Sequence, residues 1–235
     1  MTAFARILAR AEQRKGGAEA LNALLPPVPD KQKLANVPDS RLLAEITKRI
    51  FCSGFSWKVI ENKWPGFEAA FLSFEPSILI YQPNEFWDAL LNDTRIVRNG
   101  IKIFATRHNA AFVQEISQQY GSFGKLLAQW PSHDEIGLLQ LLAKQGSRLG
   151  GQSGQTLLRF VGWDGFITSK DVVTCLRDAG LDIAAEVKSK GDMAKVQQQF
   201  NIWAAETGLP YVHLSRICAL SIGENSLENG YKDEI

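Results

Sequence analysis

The sequence predicts an all-α fold. Three observations carry this expectation. Apolar residues recur at i, i+3, i+4 and i+7 through most of the chain. No stretch alternates apolar and polar residues in the way a half-buried strand would. Prolines and glycines stand between the periodic segments, where helices start and stop.

Each element has a local cause. Residues 3 to 14 place Phe4, Ile7, Leu8 and Ala11 on one face. GGAEALNALL starts a second, short helix, and PPVPD ends it because proline cannot continue one. Residues 26 to 38, with four prolines, read as a linker. Asp39-Ser40 offers an N-cap for a helix running to about Phe51. GFSW interrupts it, and WKVIENKW resumes helix with Trp57, Ile60 and Trp64 on one side. Pro76 and Pro83 sit near helix starts, where a missing N–H is harmless. NEFWDALLND is short and amphipathic, and IVRNGIKIFATRHNAAFVQEISQQYG is a long helix ended by Gly121. Further helices are expected at 122–129, 134–145, 155–163, 169–179, 191–206 and 210–222, and the tail GENSLENGYKDEI is expected to fray.

Composition narrows the class. The chain has 235 residues, 45% hydrophobic and 22% charged, with a formal net charge of +1. That is a globular composition, and any basic surface must be local. Cys52, Cys175 and Cys218 are odd in number and form no CxxC pair, so neither a disulfide framework nor a structural metal is expected. A reducing compartment fits. No run of about 18 apolar residues suggests a membrane span, and MTAFARILAR lacks the apolar core of a signal peptide.

One stretch invites a functional reading. QGSRLGGQSGQTLLRF, residues 145 to 160, makes a helix, a Gly-rich turn and a second helix. Gly151 can take the positive φ of the turn, and Gly154 keeps a side chain out of the way. The amides of Ser153 to Thr156 would form an open first turn, an anion site suited to a DNA phosphate. A tight interhelical corner is the other reading, and both stand at this point.

The hairpin and the segment after it resemble the helix–hairpin–helix DNA glycosylase superfamily. Leu149-Gly150-Gly151-Gln152-Ser153 matches that group's LPGVG pattern at its first and third positions, and Thr156 matches the threonine often found after it. Asp171, opening DVVTCLRD, falls on the superfamily's aspartate; it also reads as a simple helix N-cap. Gln155 stands where bifunctional members have a lysine nucleophile, which implies a monofunctional enzyme. A second resemblance is closer. GFSWKVIENKWPGFEAAFLSFEP (54–76) and RIVRNGIKIFATRHNAAFV (95–113) resemble two segments of the 3-methyladenine DNA glycosylase I family, in the family's order. The chain departs from that family in two respects. It has no Cys or His before Cys52 to build the family's zinc site, so His213 and Cys218 read as helix-interior packing. Counting back eight residues from Trp57 places Arg49 where the family has a base-recognising glutamate.

The resemblance implies two helical lobes with a helix–hairpin–helix DNA glycosylase core and a DNA cleft between them. One lobe would span residues 50–165; residues 1–49 and 166–235 would complete the other. It implies an N-glycosylase that flips a damaged purine of 3-methyladenine type out of double-stranded DNA, acting without a cofactor, as a monomer, in the cytoplasm at the nucleoid. Asp171 would be catalytic. Trp57 would stack on the extruded base, with Arg49 and Phe51 beside it. Phe55, at a loop tip, would wedge into the vacated stack. Gly151, Ser153, Gly154, Thr156 and Lys102 would meet phosphates. Arg49 offers donors only, so it suits a neutral, acceptor-rich base and repels a cationic one unless a carboxylate neutralises it. The alternative is a non-catalytic DNA-binding or damage-sensing protein on the same scaffold.

Overall fold

A computed structural model describes residues 2–222. The tail expected to fray lies outside the described residues. The helices are α1 (Ala3–Lys15), α2 (Ala18–Asn22), α3 (Lys31–Ala35), α4 (Asp39–Cys52), α5 (Trp57–Ala70), α6 (Pro76–Leu79), α7 (Asn84–Leu90) and α8 (Gly100–Tyr120). They continue with α9 (Phe123–Gln129), α10 (Glu135–Gln145), α11 (Gln152–Phe160), α12 (Lys170–Asp178), α13 (Lys190–Thr207) and α14 (Tyr211–Ile222). No strand occurs among the described residues, and none of their helices is long and apolar enough to cross a membrane.

The chain folds into two compact units. One comprises residues 29–163, helices α3 to α11; the other comprises 2–28 and 164–222, helices α1, α2 and α12 to α14. The N-terminal boundary therefore falls 21 residues before the expected one at 49/50. The reason is α4. Its Leu42, Leu43, Ile46, Ile50 and Phe51 are buried, and it packs on α8, α9 and α11. A cut at 49/50 would sever one continuous hydrophobic helix. At the other end, Trp163 closes the hairpin unit by donating Nε1–H to the Leu127 carbonyl at 3.0 Å. The expected linker also contains structure. Asp30 accepts hydrogen bonds from the amides of Gln32 (2.8 Å) and Lys33 (3.1 Å) and so caps α3.

The hairpin unit is built on aromatic side chains. Phe51 meets Phe67 edge-on with centroids 4.7 Å apart, and Trp64, Phe71 and Phe74 stack around them. Leu72, Ser73 and Phe74 form a left-handed turn, with φ of 52°, 57° and 59°. Three consecutive non-glycine residues there cost about 1–2 kcal/mol each. The turn is held by Arg41, which donates to the Ser73 carbonyl at 2.7 Å while pairing with both Glu68 carboxylate oxygens. Long α8 runs through the unit, capped by the Asn99 side chain and ended by Gly121 at φ 85°.

The other unit has its own core. Phe4 and Ile7 of α1, Val172 and Leu176 of α12, Phe200 and Trp203 of α13 and Leu214 of α14 are all buried in it. Phe166 and Phe200 stack with centroids 4.6 Å apart. Asp164 accepts the Val212 amide at 3.0 Å, which ties the start of this unit's second segment to the first turn of α14.

Candidate functional site

The Gly-rich turn joins α10 to α11, and Gly151 adopts φ 59° and ψ −138°, a region almost confined to glycine. Helix α11 begins at Gln152, three residues earlier than the sequence implies, because a glycine N-cap leaves no side-chain start signal. The shift changes which amides are open. Those of Gly154 and Gln155 both donate to the Gly151 carbonyl, at 3.2 and 3.4 Å. Thr156 is the fifth residue of α11, so its amide belongs to the helix's own ladder. The expected open set of Ser153 to Thr156 therefore reduces to Ser153, whose amide has no acceptor among the described residues. Gly154 acts through packing instead: a β-carbon there would come within 2.7 Å of the Leu149 carbonyl oxygen and 2.8 Å of Leu139 Cδ2.

Sequence reasoning missed two residues here. Asn109 of α8 is fully buried and grips the turn with both ends of its amide: Oδ1 accepts from Ser147 N at 2.8 Å, and Nδ2 donates to Ser147 O at 3.1 Å. Its signal was a polar residue on the apolar face of a long helix. Arg148 takes φ 62°, unusual for a residue with a side chain, and is exposed without an ion pair among the described residues. With Ile50, Ser53, Gly150 and Ser153 it lines a groove of about 300 Å³.

Ser53 brings the other wall. It comes after α4 on a loop that turns at Gly54, φ 77°, and presents Phe55 and then Trp57, the first residue of α5. Both rings are close to half exposed, at 43% and 47%. Trp57 does not share the buried side of α5 with Ile60, contrary to the face read from the sequence. Exposure of two aromatic rings on one short loop leaves them free to meet a ligand.

Two expected site residues lie elsewhere. Phe51 is completely buried against Phe67 and cannot line an open pocket; next to last in α4, it lies on the helix's core face with Ile50 and Thr47. Lys102 is 5% exposed, and its ammonium donates to the carbonyls of Phe51 and Ser53 beneath the Phe55 ring, 4.6 Å from its centroid. It is a cation at the C-terminus of α4, where the last carbonyls need donors, and not a phosphate contact. Burial, and then the neighbouring Arg148 charge, lower its pKa.

Arg49 is held in a pair. Its Nε lies 2.6 Å from Glu45 Oε1, and its guanidinium lies over the Phe160 ring, 3.9 Å from the centroid. The carboxylate that could neutralise it is thus one turn away on the same helix.

In the other unit, Asp171 is the second residue of α12 and partly buried. It is not the N-cap. Ser169 holds that place, its hydroxyl accepting from Val172 N at 3.4 Å. The Asp171 carboxylate has no hydrogen-bond or ion-pair partner among the described residues. His213 Nε2 is bonded to the Pro26 carbonyl at 2.8 Å, and Cys218 is buried. Among the described residues no three His, Cys, Asp or Glu side chains cluster as metal ligands.

Three solved structures give the range of similarity. 3-Methyladenine DNA glycosylase I from Staphylococcus aureus is 24% identical, with a TM-score of 0.47 over 54% of this chain and 77% of that one. A variant of 3-methyladenine DNA glycosylase I in complex with 3-methyladenine is 22% identical, with a TM-score of 0.48 over 70% and 88%. The Methanocaldococcus jannaschii 8-oxoguanine glycosylase/lyase, bound to a 15mer DNA containing 8-oxoguanine, is 13% identical, with a TM-score of 0.49 over 91% and 95%. The methyladenine glycosylase family model matches residues 34–141, a segment that lies within the hairpin unit and carries Arg49, Phe55, Trp57, Lys102 and Asn109. Through this segment, which is less than half of the chain, the chain is similar to the methyladenine glycosylase family.

Proposed function

We propose that the chain is a DNA repair glycosylase that removes a damaged purine of 3-methyladenine type from double-stranded DNA. The observation that carries this reading is the groove beside the hairpin. It joins a loop with two exposed aromatics to a turn with an arginine and an amide that have no partner among the described residues. A phosphate on the Arg148 and Ser153 side would fix the register of the duplex without reading sequence. Phe55 then fills the gap in the stack, and Trp57 stacks on the extruded base, an interaction worth about 1–3 kcal/mol per base. Asp171 supplies the carboxylate that stabilises positive charge on the sugar or orients the attacking water.

The reaction is hydrolysis without a covalent enzyme–sugar intermediate. Gln155, buried in α11, carries an amide nitrogen that cannot form a Schiff base. The protein acts as a monomer in the cytoplasm, at the nucleoid, and needs no cofactor.

A second reading, a damage-binding protein without catalysis, draws on Arg49. Its Nε and one face are occupied by Glu45 and Phe160, and no carboxylate stands at that position of α4 to accept hydrogen bonds from a base. Base release decides between them. Methylated duplex DNA incubated with the protein should yield free 3-methyladenine, identified by mass, and Asp171→Asn should abolish the release. Tight binding to the same DNA with no released base would establish the second reading.

A further inference from the structure

The unit built from residues 2–28 and 164–222 contains a side-chain cluster that base excision does not use. Cys175 of α12 and Cys218 of α14 are neighbours on two helices packed against each other, and both are fully buried. Arg10 reaches them from α1. Its Nη2 lies 3.8 Å from Cys175 Sγ and 3.2 Å from Ser221 Oγ, and its Nη1 lies 3.5 Å from Asp178 Oδ2. The Ser221 hydroxyl faces Cys175 Sγ at 3.5 Å and the Cys218 carbonyl at 2.8 Å. One sulfur is thus surrounded by a guanidinium, a hydroxyl and a second thiol.

We propose that Cys175 and Cys218 are a peroxide-sensitive dithiol, a modification site at which Cys175 is the attacking sulfur and Cys218 the resolving one. The asymmetry of the cluster assigns the roles. The Cys218 thiol beside it, and then Ser221 and Arg10, favour the Cys175 thiolate and bring its pKa down to about 7 against the opposing effect of burial. Cys218 is pushed well up by that neighbouring sulfur and by burial. Access is through one side chain. The Arg10–Asp178 pair lies above the sulfurs, with side chains 38% and 50% exposed, so a shift of Arg10 opens the way to a molecule as small as hydrogen peroxide.

The chemistry balances with the peroxide as oxidant. The Cys175 thiolate attacks one peroxide oxygen; an S–O bond forms, the O–O bond breaks, and the departing hydroxide takes a proton to become water. Cys218 then attacks the sulfenic sulfur. The S–S bond forms, the S–O bond breaks, and the leaving hydroxide takes the Cys218 proton to become the second water. Two thiols lose two electrons and one peroxide gains them. The product ties α12 to α14 one helical turn beyond Asp171.

The test uses the full chain and hydrogen peroxide near stoichiometry. Wild type should lose the mass of two hydrogens. Non-reducing peptide mapping should join the Cys175 and Cys218 peptides, and dithiothreitol should reverse the link. Cys218→Ser should stop at a sulfenic acid trapped by dimedone at residue 175, and Cys175→Ser should form no link. Arg10→Gln should slow the reaction several-fold; should that variant not fold, the pH dependence of Cys175 alkylation in wild type replaces it, with half-maximal rate expected near neutrality. Cys52 is the internal control, half-buried with its thiol pKa raised mainly by burial. Oxidation of Cys52 before Cys175, or a Cys175 alkylation midpoint in the ordinary thiol range, would overturn the proposal.

Discussion

Arg49 Nε stands 2.6 Å from Glu45 Oε1, one turn earlier on α4, while the guanidinium lies over the Phe160 ring. This pair removes the electrostatic objection to a cationic base, because the local charge at Arg49 is cancelled by a carboxylate. The pair also makes Glu45 the residue to test. Glu45→Gln keeps the shape of the side chain and uncovers the positive charge. Excision of 3-methyladenine should fall, and excision of a neutral purine lesion should fall less. Both groups are largely buried, so the same change should lower stability by about 1–3 kcal/mol in urea unfolding. Arg49→Glu, measured beside it, separates the readings further. Equal losses on the two lesions in Glu45→Gln would mean that the pair serves folding alone.

Lys102 yields a second prediction. Its ammonium is the donor for two carbonyls at the end of α4 and lies under Phe55. Lys102→Met should cost about 1–3 kcal/mol, because the buried Phe51 carbonyl and the Ser53 carbonyl both lose their donor. It should weaken excision through the loose Phe55 loop, and Lys102→Arg should restore much of both. The pH dependence has a definite sign. The folded pKa is lowered, so between it and the unfolded value the unfolded chain binds more protons and stability rises with pH. The stability of wild type relative to Lys102→Met should therefore increase across that alkaline window. A difference that shrinks as pH rises would contradict the buried-cation account.

The hairpin gives a third. No atom lies within 4 Å of a β-carbon built on Gly151, so Gly151→Ala acts through backbone strain alone, about 1–3 kcal/mol. Relaxing that strain moves the turn, and DNA affinity should drop about equally for all sequences, by about tenfold for each 1.4 kcal/mol. Arg148→Gln should leave folding intact and lower the salt slope of DNA binding by about one. An unchanged slope in folded Arg148→Gln would take the phosphate away from this groove.

How far the sequence could be read depends on how local each cause is. Helix positions were legible where a cap or periodic face was local: α1, the Gly121 stop of α8, and α13 all lie close to the expected bounds. The start of α11 was not, because Gly151 caps without a side chain. Helix α3 hid inside a proline-rich stretch that signals a linker, though Asp30 was the cue. The turn at Gly151 and the exposure of Phe55 at its loop tip were legible, because their causes are local. Lys102 and Phe51 were misread because their partners are 51 and 16 residues away, and periodicity cannot say that a lysine ends beneath an aromatic ring. Glu45 lay one turn from Arg49, within reach of an i, i+4 reading.

Trp57 and Asp171 are the residues on which the catalytic reading rests, and they should fail differently. Trp57 is half exposed and its ring stacks on no other aromatic among the described residues, so Trp57→Ala should leave urea stability within about 0.5 kcal/mol of wild type. On the proposed reading its loss removes one base-stacking platform, worth about 1–3 kcal/mol. That loss should appear in excision and in binding to DNA with a flipped abasic analogue, while affinity for undamaged duplex stays the same. Asp171→Asn keeps the size of the side chain and removes the charge. The carboxylate bonds to no protein group among the described residues, so the substitution leaves no donor stranded. Binding to both DNAs should therefore be preserved and the single-turnover rate of base release should collapse. The two measurements together decide the assignment. Loss of binding in Asp171→Asn would make it a structural residue of α12, and intact single-turnover excision in Trp57→Ala would move the base-stacking role to Phe55.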